Sequence, residues 1–275
     1  MSLVTCEDVV SAASDFIDDV LDPVERSYLD AHLAGCGNCP THLGQLRTTV
    51  DLISSRPGVT VPEELRQAVE ESFAGHADAD AASAAYSEHA QHLQSIASAI
   101  APNRAEDIVE ATFTRALEEG SGFDLDSLTQ ILLDIANTPE PGAGRVESVY
   151  DHRGSVDARV RSLDADGDAA ELYYPAFYSE GIDAGGFLES PNAWGDSHLL
   201  SPEADVETDE LYGVVEGALQ DLTTFDAAVV ALVDIEGASR EVAAEQLDRS
   251  AEDISAALRR GRNHVRGALD VYINT

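Results

Sequence analysis

The 275-residue chain contains three cysteines, Cys6, Cys36 and Cys39, all near its start. An odd, clustered set argues against a disulfide framework and for metal or redox chemistry. In His32-x3-Cys36-x2-Cys39 the short gap between cysteines lets both thiolates reach one tetrahedral ion. A histidine four positions before Cys36 lies one helical turn away, on the same face. Closing the site needs a fourth ligand. Cys6, at the start of the preceding helix, is the first candidate, and His42, three residues after Cys39, competes with it. A Cys3His site of Cys6, His32, Cys36 and Cys39 holding Zn²⁺ would tie together helices too small to make a good core alone. The other reading, cysteines as small buried hydrophobes, does not account for their compact spacing.

Around this pattern the apolar spacing predicts helices. Residues 7–21 place Val9, Val10, Ala13, Phe16, Ile17 and Val20 on a helical period. Asp22-Pro23 interrupts it, and Pro23 suits the first turn of a second helix running to about Leu33. Further helices are expected at 42–54 and 62–73. Residues 76–85 are rich in Ala, Asp and Ser, without a large apolar residue, and read as a linker. Periodicity returns over 86–99, 105–118 and 125–136. Residues 139–206 are rich in Pro, Gly and Asp and predict a long connection, with a short hairpin near 146–174. Residues 208–272 read as four or five short helices. The expected class is all-α, divided into a metal-tied domain (1–75), a linker (76–85), a helical domain (86–138), a linker with little regular structure (139–206) and a helical domain (207–275).

Charge narrows the partners. There are 52 acidic residues against 16 basic ones, all arginine, for a formal net charge of -36. Such a charge opposes long-range attraction to nucleic acid or anionic lipid. It reflects either the bias of a GC-rich or salt-adapted proteome or a surface suited to basic proteins. No apolar run nears the ~18 residues that cross a bilayer. The first ten residues lack the basic start and apolar run of a signal peptide, so the expectation is a cytoplasmic protein without membrane association. No Gly-rich phosphate loop occurs, and His76, His89, His92, His152, His198 and His264 are scattered. No enzyme is expected.

Cys6, then His32-Leu33-Ala34-Gly35-Cys36-Gly37-Asn38-Cys39 and an amphipathic helix, resembles the zinc-binding anti-sigma domain family over about residues 5–74. The resemblance implies helices that clamp a sigma factor. In some members thiol oxidation expels zinc and releases the partner. Ala105-Glu106-Asp107-Ile108-Val109-Glu110-Ala111-Thr112-Phe113-Thr114-Arg115-Ala116-Leu117 resembles the region-two helix of extracytoplasmic-function sigma factors. That helix docks on the RNA polymerase clamp, which marks Asp107, Glu110, Phe113 and Arg115 as polymerase contacts. Residues 127–138 resemble the next helix, which reads the -10 promoter element. Residues 210–266 resemble region four, the helix-turn-helix that reads the -35 element, through Leu219-Gln220-Asp221-Leu222, Val242-Ala243-Ala244-Glu245-Gln246-Leu247 and Arg259-Arg260-Gly261-Arg262. Ser239 and Ser250 are the expected N-caps of the two motif helices. Arg259, Arg260, Arg262 and Arg266 are the candidate DNA contacts. Phe187 and Trp194-Gly195-Asp196 resemble part of the linker of some members.

Departures from the family weaken the DNA reading. Where the -10 helix carries arginines, this chain has Asp134 and then Asn137-Thr138-Pro139-Glu140-Pro141-Gly142. The prolines would stop the helix, and the charges have the wrong sign for phosphate. Asp248-Arg249 replaces the usual Gly-aliphatic turn, although Asp tolerates the left-handed conformation. The recognition helix opens Glu252-Asp253-Ile254. Residues 207–275 hold fourteen acidic residues against six arginines, a net of -8. The arginine patch also has a plainer reading, a solvated face complementing a helix C-terminus.

The expected function is therefore a regulator of the sigma/anti-sigma system. A sigma-like body would carry its own zinc domain and bind RNA polymerase core, or a sigma or anti-sigma partner, with weakened promoter DNA binding. The alternative is a working extracytoplasmic-function sigma factor, autoinhibited by that domain. In both, helix 62–73 is expected to dock on the sigma-like helices, in cis or on another chain. Fusion supplies an effective concentration on the order of millimolar.

Overall fold

The computed structural model describes residues 4–73, 76, 78–138, 173–178, 181, 183–194 and 205–274. In chain order the α-helices among them are α1 (Cys6–Ser11), α2 (Ala13–Ile17), α3 (Pro23–Leu33), α4 (Asn38–Ser54), α5 (Glu63–Ser72), α6 (Ala79–Ile100), α7 (Ala105–Glu119), α8 (Leu125–Asn137), α9 (Asp205–Gln220), α10 (Thr224–Val230), α11 (Arg240–Gln246) and α12 (Ala251–Ile273). The described residues hold no strand, and an isolated antiparallel bridge joins Phe177 to Phe187. The class is all-α. Two compact units divide the chain, one of Met1–Ile53, Val149–Asp221 and Leu258–Thr275, the other of Ser54–Ser148 and Leu222–Ala257.

In the first unit local chemistry starts each short helix. Thr5 and Asp8 form a reciprocal capping box on α1, the Thr5 N–H donating to the Asp8 carboxylate at 2.7 Å. Asp22 caps α3, with Pro23 in its first turn. The buried faces converge on one cluster of Val9, Val10, Ala13, Phe16, Leu29, Cys39, Leu43, Leu46 and Phe187. That core is small for four helices.

The C-terminal part of α12 also lies in this unit and corrects the reading of its arginines. Arg262 is 1% exposed and Arg266 6% exposed, whereas Arg259 and Arg260 are half-buried. The Arg262 guanidinium donates to Asp18 Oδ2 at 2.9 Å. Arg266 donates to Gln45 Oε1 and to the Tyr173 carbonyl, both at 3.0 Å. A guanidinium removed from water needs acceptors, and Asp18, Gln45 and the Tyr173 carbonyl supply them here. As folded, the four arginines form no common DNA-facing surface.

The second unit holds α5–α8, α10, α11 and the first turns of α12. Residues 76–85 are no linker throughout: α6 starts at Ala79, with Ala82 and Ala85 buried. The small residues that suggested a flexible joint instead permit close helix packing. Helix α5 packs against α7, Phe73 meeting the Phe113 ring edge-on at 6.3 Å, so residues 62–73 dock in cis. Helix α10 contacts α6 and α8, and α11 contacts α8. Segments 86–138 and 222–257 thus share one unit instead of forming separate domains. Ala227 to Leu232 are buried, as expected of a stretch apolar on all sides.

Helix α8 ends at Asn137, ahead of Pro139. Ser239 caps α11, and the Asp253 N–H donates to Ser250 Oγ at 3.1 Å at the start of α12. Between them Asp248 takes φ 49°, the left-handed conformation anticipated there. The hairpin expected at 146–174 falls almost wholly outside the described residues. Replacing Phe73→Leu should cost roughly 1 kcal/mol through loss of the aromatic pair at near-constant volume, read as a lower urea midpoint.

Candidate metal centre

Four separate pieces of local structure converge at the site. The Thr5 cap places Cys6 at the head of α1, the last turn of α3 carries His32, and α4 opens with Cys39 in its first turn. Between α3 and α4 the chain reverses, the Cys36 N–H bonding the His32 carbonyl at 3.0 Å. One ligand atom from each of Cys6, His32, Cys36 and Cys39 lies within 4.8 Å of all the others.

The spacing fits zinc. Cys6 Sγ is 3.7 Å from Cys36 Sγ and 3.7 Å from His32 Nε2, and Cys39 Sγ is 3.3 Å from His32 Nε2. Tetrahedral Zn²⁺, with bonds of about 2.3 Å to sulfur and about 2.0 Å to nitrogen, has S···S edges near ~3.8 Å and S···N edges near ~3.5 Å. His32 Nδ1 lies 2.8 Å from the Val4 carbonyl. A proton held there leaves the Nε2 lone pair for the metal, the usual outer-shell arrangement.

The electrostatics also call for a cation. Burial raises the Cys6 thiol, and burial drives Cys39 far above the ordinary thiol range, with the neighbouring sulfurs adding to it. Burial also acts upward on Cys36, but the backbone N–H groups of Cys39 and Asn38 outweigh it and bring that thiol down to about 7. A dication resolves the conflict by stabilising all three thiolates at once. Four protein ligands fill the tetrahedron, which is the pattern of a structural site.

His42 is not a ligand. It is 1% exposed, with its ring 5.8 Å from that of Phe187. Burial, then the charge of Arg266, holds it well below the usual histidine range, so it packs as a neutral ring. Because Cys36 ionises near neutrality, its proton competes with zinc as pH falls through about 7. Zinc affinity should therefore drop more steeply below that pH than above it, measured by chelator competition from pH 6 to 8.

The residues expected to contact polymerase do not share one surface. Asp107 is exposed and Glu110 half-buried, but Phe113 is 0% exposed, its ring also meeting Tyr86 at 5.1 Å. Phe113 is a core residue, placed inward by the helical period of α7. Arg115 pairs with Glu119 at 2.8 Å and Asp134 at 2.5 Å. The structure also adds residues that no local pattern marks: Val4 and Phe187 at the zinc site, and Asp18 and Gln45 against the arginines.

Comparison with known proteins agrees with this geometry at one place. Residues 6–39 match the model of a zinc-finger family. No curated protein and no solved structure matches the chain. The match begins at Cys6 and ends at Cys39, bracketing the ligand set; the N-terminal segment is similar to a zinc finger typical of anti-sigma factors, and its cofactor is zinc.

Proposed function

We propose that this chain is a transcription regulator of the sigma/anti-sigma system whose zinc domain holds its own C-terminal arginine helix. The seating of Arg262 and Arg266 on Asp18 and Gln45 carries this reading. With two of the four candidate arginines withdrawn from solvent and a net charge of -36, little remains to attract phosphate. The partner proposed is RNA polymerase core, or a sigma or anti-sigma protein. Promoter DNA is a weak partner at most. No helix among the described residues is long and apolar enough to cross a membrane, and the proposed location is the cytoplasm. No catalytic role is proposed.

A second reading has its own support. The contact on the arginines is made by a carboxylate, an amide and a backbone carbonyl, acceptors that DNA phosphates can replace. The zinc domain would then autoinhibit a working sigma factor, which directs promoter-specific initiation once released. Retention of core polymerase and a salt titration of promoter DNA, on the full chain before and after chelation of zinc, separate the two. Polymerase or sigma-type partner binding without DNA binding in either state supports the first. Sequence-selective, salt-sensitive DNA binding that appears after chelation supports the second. Absence of polymerase, sigma-type partner and DNA binding in both states removes both.

A further inference from the structure

We propose that residues 173–178 and 183–194 act as a strap whose one end braces the zinc site and whose other end holds α12, so that metal occupancy and burial of Arg262 and Arg266 are coupled. At the zinc end, Phe187 belongs to the buried cluster against which Cys6 packs. The Gly185 carbonyl accepts from the Glu7 N–H at 2.8 Å. Gly185 has φ +72°, and a Cβ there would lie 2.6 Å from Thr5, so the strap backbone rests directly on the cap of α1. Phe187 itself belongs to the apolar cluster around Cys39, and the Tyr174 hydroxyl lies 3.0 Å from Ser11 Oγ. The strap is closed on itself by the Tyr178 N–H to Gly186 carbonyl bond at 2.8 Å and the Leu188 N–H to Ala176 carbonyl bond at 3.0 Å.

At the helix end the same segment grips α12. A Cβ on Gly267 would fall 1.9 Å from Tyr173 Cβ, so the contact requires glycine there. The Tyr173 carbonyl accepts from Arg266, and Trp194 Nε1 donates to Asp270 Oδ1 at 2.8 Å. Gln45 Nε2 joins the two sides, donating to the Asn192 carbonyl at 2.7 Å and to Asp270 Oδ1 at 3.0 Å.

Backbone bonded to the first turn of α1 fixes the position of Cys6, and loss of such outer-shell support weakens metal binding. Coupling between two sites is reciprocal. Loosening the strap at α12 must therefore lower zinc affinity, and removing zinc must loosen the strap's hold on α12. This inference rests on zinc binding alone, whatever the arginines or the polymerase-facing surface bind.

The test uses the full chain with zinc as the probe. Trp194→Phe, which removes the bond to Asp270 and touches no ligand, should weaken zinc binding roughly tenfold in chelator competition. In the unaltered chain, chelation should speed amide hydrogen exchange across 262–270 while α7, in the other unit, stays protected. The proposal is overturned if the variant folds and holds zinc as the unaltered chain does. It is equally overturned if exchange across 262–270 ignores zinc, or if α7 loses protection in step. Should Trp194→Phe fail to fold, the exchange measurement decides alone.

Discussion

Cys39→Ser is expected to abolish stoichiometric zinc and to unfold the α1–α4 segment. Cys39 is 1% exposed and serves twice, as a ligand and as part of the apolar cluster. Serine supplies no thiolate and brings a hydroxyl into a buried position. Structural zinc contributes apparent folding free energies of about 10–16 kcal/mol in small domains, more than a nine-residue core can replace. Metal analysis and far-ultraviolet circular dichroism check the outcome. Cys39→Ala separates the two roles, because it keeps a small apolar side chain but no ligand. One equivalent of zinc retained by either variant would refute the four-ligand site.

Asp18→Ala is the second large effect, expected to cost about 3 kcal/mol by removing the carboxylate that faces a nearly inaccessible guanidinium. The side chains of Arg262 and Asp18 are only 1% and 18% exposed, so water cannot readily take the carboxylate's place. Arg262→Met should cost less, since it removes the charge along with the need for a partner. The double variant should lie close to Arg262→Met alone. Urea unfolding of the four proteins measures this. Additive losses would show that the two side chains do not act on each other.

The metal site was legible because its information is local. Three ligands fall within eight residues, and the expected caps, Ser239 and Ser250, sit beside the helices they start. The left-handed turn at Asp248 could also be anticipated from one residue and its neighbours. Sequence alone places the arginines on the surface, because charged residues are rarely buried without a partner. Their partners lie 244 and 221 positions away along the chain, a pairing that helical periodicity cannot reveal. Phe187 is hidden for the same reason, in a segment whose Pro, Gly and Asp content suggests only a connection. Phe113 is a different case. Its place on the apolar face of α7 marks it as core, where the resemblance to a docking helix implies a surface contact.

Every residue from Gly261 to Asp270 is buried. A ligand for this stretch must therefore select a minor, opened population, and its apparent dissociation constant grows by the inverse of that fraction. If closure is favoured by about 3 kcal/mol, such a ligand looks roughly 150-fold weaker than its intrinsic contacts warrant. Affinity screens on the intact chain would then rank partners by how readily the molecule opens, and only secondarily by how well they fit.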